Sequence, residues 1–426
     1  MPAVDALTLA ALAGEIRAEL IGARIDDVIQ PTPYAIALQC YGGGGVGRNR
    51  WLLASAHPQL ARIHLVGGKP RKLITEPPAF VMLLRKYLEG ARIAAIRQPR
   101  WERVLEIGFG RGPSAAEGVT TVWLVVEIMG RLSNLILRGE DGVILGALHL
   151  VSAEVNRYRA IAPHVPYRFP PPQTRTLRGE TLPRLNGENV TGEQLREAAL
   201  SLLAAAAEPP APGMGRRKGR SRREAPTVAG LLASQVEGFS RELGREVAAR
   251  ALASPDEPLA DDLPWGHVAA EARMLAALPE TGAWQPTLVY GDTSSEISSD
   301  ASSGTPNEEP TAFAVYLPRQ FDGADLRPSA SVDEMLATFF HDAEWRLAVD
   351  GARRDLRHLL QTVRDRCVRK DEALRGELAA IAEAQALREE ADLLLAFQAE
   401  IARGQHSVTL ENPFGEGTTR TLTLDP

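Results

Sequence analysis

Two cysteines in 426 residues, Cys40 and Cys367, are too few for a disulfide framework or for a zinc site built on four thiolates. Long hydrophobic runs are also absent. Glu127 interrupts the longest strand-like stretch, and Ala204–Ala207 leads into Glu208 and prolines, so nothing approaches the roughly 20 apolar residues that cross a bilayer. The N-terminus has no basic segment followed by an apolar core, which removes the expectation of an export signal and leaves the cytoplasm as the default location. What is present fits a folded chain: 44% hydrophobic and 24% charged residues, in a length that accommodates two to four domains.

The net charge of -6 is unevenly spread. Residues 1–173 hold 20 Lys and Arg against 14 Asp and Glu, a net +6, so the other 253 residues carry 28 against 40, a net -12. A basic front on an acidic chain suits a polyanionic partner such as RNA, because phosphate contacts supply the sequence-independent part of binding. Ordinary surface charge is the alternative reading.

The fold class expected from periodicity is α+β. Asp5 is placed to cap a first helix with Leu9, Leu12, Ile16 and Leu20 on its apolar face, ended by Gly22. Short apolar or alternating bursts at 24–30, 34–41, 51–56 and 62–66 read as antiparallel strands. A second helix starts at Pro77-Pro78 and runs to Gly90, and strands resume at 91–98, 103–109, 121–129, 134–138 and 143–150, with Asp141-Gly142 as a hairpin turn. This β-rich domain with covering helices is expected over 1–173, closed by Pro166 and Pro170–Pro172.

A helical domain follows over 174–285. It contains a basic linker at 207–226, where six cations fall within positions 216–223, and a helix-hairpin-helix formed by 227–236, the turn Glu237-Gly238 and 240–252. Residues 286–330 read as a strand segment with a disordered acidic insertion at 291–310. From Ser331 to Gly404 a coiled-coil seam is expected, about 70 helical residues or roughly 100 Å, with a β-hairpin tip at 407–424. An exposed seam of that length needs a partner helix. Either a second molecule supplies it, or the chain is the front part of a longer protein; the second is the expectation.

The order of local signatures supports a comparison. Asp5 to Leu9, Gly22-Ala23-Arg24-Ile25, Gln30-Pro31, Ser55-Ala56-His57-Pro58 and Ala61-Arg62-Ile63-His64-Leu65 are followed by Glu76-Pro77-Pro78, the run 82–90, Glu127-Ile128-Met129-Gly130-Arg131 and Ser133-Asn134. This set, with Gly238-Phe239-Ser240, resembles the NFACT family, also called RqcH or fibronectin-binding-protein-A-like. The resemblance spans the N-terminal domain, the helix-hairpin-helix and the first coiled-coil arm, while the family's C-terminal RNA-binding domain has no counterpart here. It implies a cytoplasmic, ribosome-associated adaptor without an active site or cofactor. Such a protein binds the large ribosomal subunit carrying peptidyl-tRNA, and recruits charged tRNA, alanyl-tRNA in bacteria, to tail the nascent chain.

By that resemblance tRNA is contacted by Asp5 and by the pair Glu102-Arg103, where the family has Asp-Arg. A carboxylate accepts hydrogen bonds from bases or ribose, and Arg pairs with phosphate or stacks on a base. The plain alternative is a helix cap at Asp5 and a surface ion pair at Glu102-Arg103. Arg62, Arg85, Lys86 and Arg131 are expected to contact the RNA backbone. His57 and His64 lack a third ligand and read as structural, and Asn134 as a turn-stabilising residue.

Two competing functions remain. The family's N-terminal domain is similar in fold to Fpg/Nei DNA glycosylases, whose nucleophile is an N-terminal proline, and Pro2 is present, but Ala3 stands where those enzymes have glutamate. An extracellular adhesin is suggested by the family's older name and opposed by the missing export signal.

Overall fold

The computed structural model describes residues 3–44, 49–72, 74, 76–112, 119–207, 225–291, 309–341, 343–411 and 418–424. The basic run at 216–223, most of the acidic insertion and Pro2 lie outside them. Two compact units are present, Met1–Glu344 and Trp345–Pro426.

The first unit is built on a nine-stranded antiparallel sheet. α1 (Ala6–Leu20) precedes β1 (Arg24–Thr32), β2 (Ala35–Tyr41), β3 (Asn49–Ser55) and β4 (Arg62–Val66). α2 (Ala79–Leu88) then leads to β5 (Arg92–Arg97), β6 (Val104–Gly110), β7 (Val122–Glu127), β8 (Asn134–Gly139) and β9 (Ile144–Ala147). The order across the sheet is β4-β3-β2-β1-β5-β6-β7-β8-β9, so two meanders meet where β1 pairs β5. Burial of Leu7, Leu9, Leu12, Ile16 and Leu20 places α1 inside the unit rather than on its surface. β6 and β7 are buried along their whole lengths, so β7 reads as a continuous apolar run up to Glu127, while Glu106 inside β6 is tolerated because Arg138 pairs with it at 2.8 Å.

The charges inside this module are paired. Glu127, fully buried, accepts two bonds from Arg159, at 2.6 and 2.8 Å, and one from the Tyr167 hydroxyl at 2.8 Å. It therefore ties the proline-rich exit to β7. Asn134 bonds the backbone of His149 in both directions, at 2.7 and 3.0 Å.

The hairpin β10 (Thr174–Leu177) and β11 (Glu180–Pro183) comes next, and sequence periodicity gave no sign of it. α3 (Gly192–Ala207), α4 (Val228–Gln235), α5 (Arg241–Leu252), α6 (Trp265–Ala276) and α7 (Leu278–Thr281) form the helical part, with α4 and α5 as the expected helix-hairpin-helix. β12 (Thr287–Tyr290) pairs with both β13 (Ala312–Ala314) and β14 (Asp325–Pro328).

The expected unbroken helix from Ser331 is interrupted. α8 (Val332–Phe339) ends where Phe339 and Phe340 both pack on Phe313, with ring centroids 4.8 and 5.9 Å away, and α9 (Ala343–Ala396) starts afresh. α9 has 54 residues, about 80 Å of helix. Within the second unit, β15 (Ser407–Glu411) and β16 (Thr419–Thr423) form the tip hairpin, whose Val408, Leu410 and Leu422 enclose Leu393 of α9. Leu356, Leu360, Val363, Leu374, Leu378 and Ile381 of the seam are exposed. Among the described residues no helix is long and apolar enough to cross a membrane.

Candidate nucleic-acid interface

One end of the nine-stranded sheet gathers three of the sequence-predicted site residues around the helix-hairpin-helix turn. Asp5 caps α1, its Oδ1 accepting from the Thr8 amide at 2.8 Å. Its other oxygen, Oδ2, accepts from the Ser240 hydroxyl at 2.8 Å, while Ser240 Oγ accepts from the Leu243 amide at 3.0 Å and so caps α5. A carboxylate at the meeting point of two helix N-termini is favoured by both sets of unpaired amides.

Glu102 is brought to the same place by Gln98, whose side-chain amide donates to the carbonyls of Ala6, at 2.9 Å, and Glu102, at 3.0 Å. Gln173 closes the arrangement. Its amide donates to the Trp101 carbonyl at 3.0 Å, and its oxygen accepts from the Gly238 amide and from Arg184, both at 3.1 Å. The fit leaves no slack: a Cβ on Gly238, at φ +73°, would lie 2.5 Å from Trp101 Cε3. Trp101 itself is buried with φ 59°, a conformation that costs a bulky residue about 1 kcal/mol or more. A strained tryptophan and an obligatory glycine therefore fix the Glu102-Arg103 segment beside the Glu237-Gly238 turn.

The electrostatics of the cluster differ from a surface ion pair. Among the described residues Glu102 and Arg103 do not pair. Partial burial pushes the Glu102 carboxyl above its ordinary range; its hydrogen-bond partner Gln173 opposes that, Glu237 adds to it, and the charges of Arg103 and Arg184 oppose it. Arg103 is exposed at the mouth of the turn. Arg131, also exposed, belongs to the same sheet end, since the Ile128 amide bonds the Arg103 carbonyl at 2.8 Å. A cleft of about 230 Å³ opens beside Asp5, lined by Glu242, Arg245, Tyr316 and Gln320 among others.

Three of the expected backbone contacts lie elsewhere, and one of them requires correction. Arg62 is not a surface cation: it is buried, pairs with Glu344 at 2.7 Å, donates to the Leu60 carbonyl at 2.9 Å and stands 5.0 Å over the Phe340 ring. Its charge was legible, but its partner 282 residues away was not. Arg85 is partly buried and occupied, donating to the Val28 carbonyl at 2.9 Å with Glu89 at 3.6 Å. Lys86 is exposed. His57 uses Nδ1 to accept from the amides of Gln59 and Leu60, each at 3.2 Å, and burial holds both it and His64 below the ordinary histidine range.

Gln98, Trp101, Gln173 and Arg184 carry the geometry together with Ser240, and none of those four stood out in the sequence. Only the Gly238-Phe239-Ser240 turn offered a signal, a glycine before a capping serine.

The class defined by this fold is an α+β protein in which a wide antiparallel sheet is locked to a helix-hairpin-helix, with a long helix and hairpin tip as a separate unit. The model of a family described as NFACT N-terminal and middle domains matches residues 5–188 and 218–426, and the chain belongs to that family. Among curated proteins it is similar to the Rqc2 homolog RqcH of Bacillus subtilis (strain 168), 35% identical over 162 residues, which is 38% of this chain and 28% of that protein. It is also similar to the Rqc2 homolog RqcH of Streptococcus suis, 34% identical over 183 residues, 42% of this chain and 31% of that protein. The matched segment thus spans under a third of these relatives. Among solved structures, the fibrinogen binding protein from Staphylococcus aureus aligns over 80% of this chain and 100% of its own, with TM-score 0.53 and 22% identity. The N-terminal part of the fibronectin/fibrinogen-binding protein from Streptococcus suis aligns over 79% and 99%, with TM-score 0.52 and 24% identity. These two likenesses establish the fold.

Proposed function

We propose that the chain is a non-enzymatic adaptor of ribosome-associated quality control, working in the cytoplasm on the large ribosomal subunit with its peptidyl-tRNA. It recruits charged tRNA, alanyl-tRNA by the family resemblance, for tailing of the nascent chain. The observation that carries this reading is the junction itself: Arg103 is presented to solvent by a strained tryptophan turn, beside the half-buried Glu102 and the doubly engaged Asp5. Arg103 supplies a planar donor for phosphate or a base, Glu102 an acceptor for base or ribose groups, and Arg131 a further cation at the same sheet end. Because Asp5 already spends one oxygen on Thr8 and the other on Ser240, its contribution is to hold the two modules in register at the edge of the cleft that it lines.

The test is to sequence RNA that copurifies with the 426-residue chain and with its Arg103→Ala variant, beside sedimentation with large subunits carrying peptidyl-tRNA. Enrichment of tRNA on the parent and its loss from the variant is expected. A parent that neither retains tRNA nor sediments with the subunit contradicts the reading.

A further inference from the structure

At the opposite end of the sheet, the β1–β5–β6 side gathers positive charge that the proposed tRNA contact does not use, while exposed Glu140 and Asp141 stand beyond it at the β8 side of the same end. Arg103 and Arg111 flank β6 at its two ends, about 26 Å apart for an extended strand. At the Arg111 end, Arg24 of β1 stands directly across from Arg92 of β5, and Arg92 is in turn across from Gly110 of β6. Like charges facing each other across antiparallel strands are unfavourable unless something else uses them.

Arg24 is balanced by Asp26 at 2.7 Å, as Arg85 is by Glu89 at 3.6 Å. Lys86, Arg92 and Arg111 are exposed and, among the described residues, make no ion pair. Two of them are nonetheless held in place. Arg92 Nη1 donates to the Gly22 carbonyl at 2.8 Å, and Arg111 Nη2 donates to the carbonyls of Lys86, Tyr87 and Glu89, at 3.2, 3.4 and 3.0 Å. These are the carbonyls at the C-terminus of α2, where a cation is favoured. Among the described residues the other N–H groups of both guanidinium forks have no protein partner. Two tyrosines accompany the cations: Tyr41, 45% exposed, lies 5.9 Å from Arg24, and Tyr87 lies 5.2 Å from Lys86.

We infer that this sheet end is a second RNA-contacting surface, which takes a single-stranded segment with its phosphates over Lys86, Arg92 and Arg111 and a base against Tyr41. Cations alone would serve an acidic peptide equally well. The exposed ring of Tyr41, set among these cations, is what a stacking base requires, and it favours RNA. The inference rests on the reading of the chain as an RNA binder, but the surface is separate from the Asp5-Glu102-Arg103 junction.

The test is fluorescence anisotropy of a short labelled oligouridylate on the intact chain across a salt series. The triple variant Lys86→Glu/Arg92→Ala/Arg111→Ala is expected to bind at least tenfold more weakly. Its slope of log affinity against log salt should be smaller by about 2, as three lost phosphate contacts require for a single strand. Lys86→Glu alone, an exposed change, should weaken binding about threefold with an unaltered melting temperature, which separates contact from folding. Arg103→Ala should leave oligouridylate binding intact while reducing tRNA binding. If Arg103→Ala spares tRNA while the triple variant still loses oligouridylate, the tRNA junction fails and this surface stands. A parent that does not bind oligouridylate, a triple variant that binds it as tightly, or displacement of the RNA by polyglutamate at equal charge overturns the inference.

Discussion

The carboxylate of Asp5 accepts a hydrogen bond from the hydroxyl of Ser240 at 2.8 Å, joining the N-terminal caps of two helices that lie 235 residues apart in sequence. That bond makes the sheet module and the helix-hairpin-helix one structural element around Arg103. Ser240→Ala removes both the α5 cap and the tie to Asp5, and should cost about 1 to 2 kcal/mol in chemical denaturation. Asp5→Asn keeps a good capping side chain and should cost less than half as much. A double-mutant cycle on Asp5 and Ser240 is expected to show coupling, whereas additive losses would mean the bond does not form in solution.

Arg62 and Glu344 form a buried ion pair whose carboxylate also accepts from the hydroxyls of Thr32 and Ser55. Burial pushes Glu344 up, but Arg62 and the two hydroxyls more than offset it and hold the carboxyl below its usual range. Glu344→Ala leaves the Arg62 charge stranded, and a loss of about 3 to 5 kcal/mol is expected. Measured stability should also fall as pH drops below the ordinary glutamate range, since a depressed carboxyl loses its contribution on protonation.

Asp333 behaves in the opposite sense. Burial pushes its carboxyl up to about 7, with Glu15 and Glu19 adding to the effect, although the Leu65 amide donates to it. The folded state therefore holds the proton more tightly than the unfolded chain, and stability is lost as pH rises from about 4 through 7. Asp333→Asn keeps an acceptor for Leu65. It should melt higher than the parent at pH 8, and the gap should close as the pH is lowered toward 4.

Glu102 shares that direction, raised first by burial. Glu102→Gln should not lower the melting temperature at neutral pH, yet should weaken tRNA binding, because an acceptor-only group is replaced by one that also donates. Unchanged tRNA affinity would remove Glu102 from the interface.

The sheet was readable because short strands bounded by Gly, Pro and Asp-Gly turns leave a local imprint, and the α4–α5 hairpin because Gly238 and Ser240 do. Asp5 was legible as a cap for the same reason. What stayed hidden depends on distant partners. Ser240 to Asp5, Gln173 to Trp101 and Gly238, and Glu344 to Arg62 are contacts between residues that no periodicity links. Arg62 shows the cost of reading charge without burial: the same residue type serves at a surface or inside an ion pair, and only the fold decides. The break before α9 was missed because Phe340 continues the seam in spacing while its ring, with that of Phe339, is claimed by Phe313.

The most direct measurement is the affinity of purified tRNA for the parent and for Arg103→Ala, each with its unfolding midpoint recorded. Arg103 is exposed, so its removal should leave the midpoint within about a degree while weakening tRNA binding roughly tenfold. Equal affinity in the two proteins, at equal stability, would contradict a tRNA contact at the junction of the sheet and the helix-hairpin-helix.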